Sequence, residues 1–199
     1  MIKKVVLCLF ALLLVGCGVE TRTIDKANGD SKTYLFFKDF DPNNYYVELW
    51  DRNNNKNDDT KIIMARSDDE YYYEINGSTQ MIVIQKDGYM YTLDPQMKNY
   101  NKVENPIEDY AYGVLPSDMV TLRTAGYETG EEKVYGKNYI YEKYTNNNDE
   151  STYYFDGDDL VYIRYKSPER TVFFKYNLTK DEVNSTLFEI PDDYLEITY

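Results

Sequence analysis

From residue 32 onward the chain alternates apolar and polar positions in short runs, and polar clusters separate the runs. Tyr45-Tyr46-Val47-Glu48-Leu49-Trp50, Glu70-Tyr71-Tyr72-Tyr73-Glu74-Ile75 and Leu160-Val161-Tyr162-Ile163-Arg164-Tyr165 are rich in aromatic and β-branched residues, which suit a pleated, half-buried surface. Thr33-Tyr34-Leu35-Phe36-Phe37, Lys61 to Arg66, Met81 to Ile84, Tyr89 to Leu93, Val120-Thr121-Leu122, Tyr139-Ile140-Tyr141, Thr152 to Phe155 and Thr171 to Tyr176 read the same way. Asn76-Gly77, Asp87-Gly88, Gly136-Lys137 and Asp156-Gly157 supply the positive backbone angles of tight hairpins. Asn99 to Val103 predicts a further edge strand.

Two segments break this rhythm. Pro106 to Tyr112 starts like a helix, with proline in the first turn and acids behind it. Thr179-Lys180-Asp181-Glu182 matches a capping box that opens a short helix through Leu187. The pattern predicts a mainly β (α+β) chain: one curved antiparallel sheet or half-barrel of about ten strands, with one or two short helices.

The N-terminus follows a different grammar. Met1-Ile2-Lys3-Lys4 is followed by an apolar run from Val5 to Val15 and by Gly16-Cys17. A basic start, a short apolar segment and a small residue before cysteine describe an export signal. A spanning helix needs about 20 apolar residues, more than this run provides. Leu14-Val15-Gly16-Cys17 resembles the bacterial lipobox. The resemblance implies cleavage before Cys17, a lipid on its thiol, and anchoring to the outer face of the cell membrane, or to the outer membrane if there is one. Residues 1–16 are then a signal peptide and 17–31 a flexible, lipid-anchored linker. Residues 32–199 form the folded domain.

Composition narrows the chemistry. The net charge of −13 becomes −15 once Lys3 and Lys4 leave with the signal, and that repels nucleic acid. There is no histidine, and the only cysteines are Cys8, within the signal, and Cys17. The mature chain therefore lacks the commonest acid–base residue and has no free thiol for a disulfide, a zinc site or a nucleophile. Asp39, Asp41 and Asn43 are spaced like calcium-loop ligands, but Asn44 and Trp50 stand where that loop needs Gly and Glu. No cofactor or metal is expected, and no enzyme activity. The 23 tyrosines suit a sheet face that meets water.

Three stretches resemble the lipoprotein-carrier superfamily, with its LolA/LolB/LppX-like fold. They are Tyr71 to Glu74 with Lys86 to Asp94, then Tyr153 to Val161, then Leu187-Phe188-Glu189-Ile190-Pro191-Asp192-Asp193-Tyr194. The resemblance implies successive hairpins of a curved sheet around an apolar cavity over residues 32–199. Members usually begin with an amphipathic helix, which residues 18–31 do not encode. The function expected first is a non-enzymatic envelope lipoprotein that binds a lipid or other apolar ligand. Its cavity would be lined by Val47, Leu49, Ile62, Met64, Ile82, Ile84, Tyr89, Tyr91, Leu93, Leu160, Tyr162 and Phe173. The alternative is an interaction module that binds a protein or glycan through an acidic, Tyr-rich sheet face. A filled core beside an exposed Tyr patch would favour the alternative.

Overall fold

The computed structural model describes residues 22–24, 31–52, 60–104, 115, 119–179 and 183–198. Its strands are β1 (Arg22–Ile24), β2 (Asn44–Asp51), β3 (Lys61–Ser67), β4 (Glu70–Asn76), β5 (Gln80–Lys86), β6 (Tyr89–Asp94), β7 (Asn99–Glu104), β8 (Tyr127–Val134), β9 (Lys137–Asn146), β10 (Asp149–Asp156), β11 (Asp159–Lys166), β12 (Thr171–Thr179) and β13 (Leu195–Glu196). Two short helices, α1 (Lys32–Phe37) and α2 (Met119–Thr124), and a 3₁₀ turn at Ser185–Phe188 complete the elements.

All strands join one open, curved sheet in the order β1-β8-β9-β10-β11-β12-β2-β3-β4-β5-β6-β7-β13. Twelve of them pair antiparallel, and only β13 runs parallel to its neighbour β7. The chain thus builds two hairpin meanders, β2–β7 and β8–β12, joined where β12 pairs with β2. The expected mainly β class and curved antiparallel sheet are present, with more strands than the ten expected. β1 and β13 are too short to show a period.

Several expectations are corrected. Thr33 to Phe37, expected as a strand, forms α1. The Ser31 side chain caps it by accepting from Tyr34 N, and the Glu142 carboxylate accepts from Lys32 N at 2.8 Å, Thr33 N at 2.9 Å and Thr33 Oγ1 at 2.7 Å. These partners satisfy donors that a helix start leaves open, and Glu142 arrives from β9, so local propensity yields to a tertiary contact. Val120 to Leu122 lies in α2 and buries Leu122 under the same face. Within the linker, Arg22–Ile24 pairs with β8. Thr179 ends β12, and the turn at Ser185–Phe188 is capped instead by Asn184. The helix expected at Pro106–Tyr112 lies outside the described residues.

The hairpin turns fall close to the expected positions, but Asn76 and Gly77 do not take the positive φ expected of them, and the β4–β5 connection runs over residues 77–79 instead. That between β8 and β9 centres on Tyr135-Gly136, at φ of 48° and 89°. Glycine tolerates that region freely, while a tyrosine there is an outlier.

Side chains alternate between the two faces of each strand. The helix face carries Val47, Leu49, Met64, Tyr153, Phe155, Ile163, Phe174 and Tyr176, buried beneath Phe37 of α1 and Leu122 of α2. The opposite face of the β2–β7 meander carries Ala65, Tyr72, Ile84, Tyr91 and Leu93, buried beneath Val183 and Phe188 of the C-terminal segment. Lys98 Nζ to Asp193 at 2.6 Å and Leu195 N to Lys98 O at 3.0 Å fasten that segment to the sheet edge.

Candidate binding face

The twelve residues expected to line one cavity divide among three packed clusters. Val47, Leu49, Ile62, Met64 and Leu160 belong to the core beneath α1 and α2. Ile82, Ile84, Tyr89, Tyr91 and Leu93 lie on the opposite face beneath the C-terminal segment. Tyr162 and Phe173 join Val134, Tyr139, Tyr141 and Tyr154 on that opposite face, in the β8–β12 meander. The single-face expectation is therefore corrected, and register is the reason. Met64 stands opposite Val47 and Tyr73, and Tyr73 opposite Val83. On β5 the residue sharing Met64's face is Val83, which turns Ile82 and Ile84 to the other side.

The third cluster forms a site of its own. Tyr154 is its fully buried floor. The Tyr154 hydroxyl donates to Glu132 Oε2 at 2.9 Å, and Arg164 grips the same carboxylate with both terminal nitrogens, at 2.9 and 3.1 Å. The guanidinium also lies 5.3 Å from the centre of the Tyr154 ring. Burial, opposed by Arg164, pushes the Tyr154 hydroxyl well above the ordinary tyrosine range. Tyr162 and Phe173 stack above this floor at 5.3 Å and 15°, and Tyr139 meets Tyr162 edge-on at 5.5 Å. Gly130 leaves room beside it for the Tyr141 ring, which a Cβ there would displace by standing 2.8 Å from its hydroxyl.

Tyr135 closes one side. Its ring lies 5.8 Å from Tyr162 and 6.0 Å from Phe173, and its hydroxyl donates to Arg52 O at 3.2 Å. In a flat sheet β9 and β2 would stand about 19 Å apart, four strand spacings, more than one tyrosine bridges. The sheet therefore curls toward this face, and the β8–β9 corner folds over it. On the far side Trp50 lies half-buried between Lys61 and Lys175, 5.5 and 5.1 Å from its ring centre.

The charges of this face are largely matched within it. Glu132 holds Arg164, Glu48 holds Lys61 at 2.5 Å, Glu128 holds Lys143 at 2.6 Å and Glu150 holds Lys166 at 2.6 Å. Asp156 holds Lys137. The negative excess of the chain lies elsewhere.

Alternation along the strands could have pointed to Trp50, Tyr139, Tyr141 and Lys175. Only the register shows that they meet. Elsewhere, the Asp41 carboxylate accepts from Asn43 N at 2.9 Å, closing its own turn. Asp158 pairs with Lys32 at 2.6 Å. A cleft of about 400 Å³ lies near the β11–β12 turn, but Asp149, Tyr165, Ser167, Pro168, Glu169 and Arg170 wall it, a polar lining unlike the apolar one expected. No group of three or more acids among the described residues is placed to hold a metal, and no described helix is long and apolar enough to cross a membrane.

No family model and no curated protein matches the chain. Among solved structures it is similar to the crystal structure of an uncharacterized conserved protein from Thermus thermophilus. The identity is 6% and the TM-score 0.46, over 83% of this chain and 97% of that one.

Proposed function

We propose that the protein is a non-enzymatic lipoprotein of the cell envelope, anchored through lipid on Cys17, that binds a neutral glycan with the aromatic face of β9–β12 and β2. The observation that carries this reading is the strip of half-buried rings, Tyr162, Phe173 and Trp50 with the exposed Tyr135. Apart from Tyr135 of the β8–β9 corner, which closes one side, no described helix packs on it, while the apolar residues beneath α1 and α2 are packed by side chains. Of the two functions expected, a lipid carrier needs an apolar cavity on one face. An interaction module needs only such a strip. The open curved sheet and the hairpin motifs support distant membership of the carrier superfamily without its cargo.

Size and charge favour a glycan over a protein. The strip consists of a few rings from β11, β12, β2 and the β8–β9 turn, too few to fill the about 800 Å² that a stable protein interface covers on each side. Because its ion pairs satisfy one another, with Lys175 as the exception, the strip offers a charged ligand at most one partner. Its rings and the exposed Lys175 suit a neutral, hydroxyl-rich one.

Titration of the purified chain against a panel of envelope polysaccharides tests the proposal. Tyr162→Ala and Phe173→Ala should each weaken binding about tenfold, the loss of roughly one aromatic contact, with circular dichroism unchanged. Binding of a fluorescent fatty acid and of no glycan would restore the carrier reading. Capture of a stoichiometric protein partner by the same face would replace the glycan.

A further inference from the structure

We infer that the β8–β9 corner, carrying Lys133, Tyr135 and Lys137, docks on the headgroup region of the bilayer and orients the domain there. The inference rests on lipidation of Cys17; it shares Tyr135 with the glycan strip, but its test reads membrane depth and not glycan binding. Only four residues separate Cys17 from β1, so a lipidated Cys17 lies at most about 18 Å from Arg22. β1 runs antiparallel to β8, with Arg22 opposite Thr129 and Ile24 opposite Tyr127. Its end nearer Cys17 therefore points along β8 toward Val134 and the Tyr135-Gly136 turn. The tether directs this corner, rather than the β7–β13 edge, toward the membrane.

The corner has the composition that a headgroup layer accepts. Tyr135 is 57% exposed and Ile140 46%, and Lys133 and Lys137 flank them. Tyrosine and lysine both settle at the boundary between water and hydrocarbon, with the ring or stem inward and the polar end in water. Charge points the same way. Most of the domain repels anionic lipid, but here Glu132 is matched by Arg164, Asp156 by Lys137 and Asp158 by Lys32, and the exposed Glu131 is offset by the exposed Lys133, which leaves Asp159 as one excess negative charge. An acidic surface repels such a near-neutral end only weakly. Tyr135 adopts a backbone angle unfavourable to tyrosine, and its hydroxyl bond to Arg52 fixes the ring against Tyr162 and Phe173 with its outer side still exposed at the corner.

With Cys17 acylated the mature chain has no other thiol, so a single added cysteine can be labelled cleanly. Full-length Asn138→Cys (corner) and Met97→Cys (opposite edge, 70% exposed) would carry an environment-sensitive fluorophore. Each would be reconstituted in vesicles of phosphatidylethanolamine with a minority of phosphatidylglycerol and a headgroup spin-labelled lipid. The expected result is several-fold stronger quenching at residue 138 than at 97, reduced by Tyr135→Ser in the Asn138→Cys background. Equal quenching at the two sites, or stronger quenching at 97, in a protein whose N-terminal peptide carries acyl chains by mass spectrometry would overturn the docking while leaving the anchor intact. An unacylated N-terminal peptide would overturn both.

Discussion

In β10, β11, β12 and β2 the side chains buried under a covering element are Tyr153, Ile163, Phe174 and Leu49, which point at α1 and α2. In β4, β5 and β6 they are Tyr72, Ile84 and Tyr91, which point the other way, at the C-terminal segment. The strands belong to one sheet, yet the cover of β4–β6 lies on the face opposite to the one that α1 and α2 cover. The changeover begins at β3, where consecutive residues Met64 and Ala65 are both buried, one beneath each cover, and Tyr71-Tyr72 of β4 and Val83-Ile84 of β5 are buried in the same consecutive way. β10 is similar: Thr152 to Phe155 are all buried, with the helix core on one side and the aromatic face on the other. A strand covered on both sides reads as an unbroken apolar run, and a strand covered on one side alternates. Ile62-Ile63-Met64-Ala65 and Asn44-Tyr45-Tyr46-Val47-Glu48-Leu49 are the two cases, and β2 shows the alternate burial expected of the second. A single sheet can thus carry a packed core, a second packed core and an open aromatic face without a separate domain.

The sharpest test of this division removes one anchor from each cover. Phe37→Ala and Phe188→Ala each delete a ring exposed by 1% or less and should cost about 3–5 kcal/mol. Denaturant unfolding followed by fluorescence measures both. If the halves unfold together, each variant lowers the same single midpoint. A biphasic curve for Phe188→Ala alone would mean that the C-terminal cover and its meander form a weaker, separable unit. Next in size is Glu142→Gln. The buried carboxylate ties the start of α1 to β9 through three short bonds, and losing its charge should cost about 2 kcal/mol. Glu128→Gln, which loosens a partly exposed pair with Lys143, should cost less than about 1 kcal/mol. Equal losses would show that α1 does not depend on Glu142.

Tyr176 sharpens the account of the helix core in the other direction. It is 3% exposed, its hydroxyl has no partner among the described residues, and burial pushes that hydroxyl well above the ordinary range. Tyr176→Phe should stabilise the protein by about 1 kcal/mol by removing an unsatisfied polar atom. A loss of stability would reveal a partner for it. The smallest effect concerns Glu48, on the strand that joins the two meanders. Burial works to raise its carboxyl, but hydrogen bonds from Lys61 and Tyr46 outweigh that and hold it below the usual carboxylate range. A folded-state value below the unfolded one, about 4.3, stabilises the protein above that pH. The contribution fades as pH falls through the folded value. Solvent screening keeps it under about 1 kcal/mol. Stability profiles of wild type and Lys61→Ala should therefore converge toward acid pH. Parallel profiles across that range would remove the pair from the account.

The alternation and the turn residues were enough to determine a mainly β chain of hairpins, because a pleated strand must segregate its side chains by twos and a tight turn must find residues that accept positive φ. Asp87-Gly88 and Gly157 sit where those rules put them. The resemblance at Cys17 and the absence of histidine likewise needed no structure. Three things were decided only in the tertiary structure. Thr33 to Phe37 became a helix because Glu142, more than a hundred residues away, satisfies its first donors. Ile82 and Ile84 left the face of Met64 because inter-strand register is set by pairing partners that a strand's own residues do not name. The aromatic face exists because the sheet curls far enough to bring Tyr135 of one corner onto Phe173 and Arg52. Period two says which side chains share a side of one strand. It cannot say which sides of neighbouring strands agree, nor which of the two faces another part of the chain will come to cover.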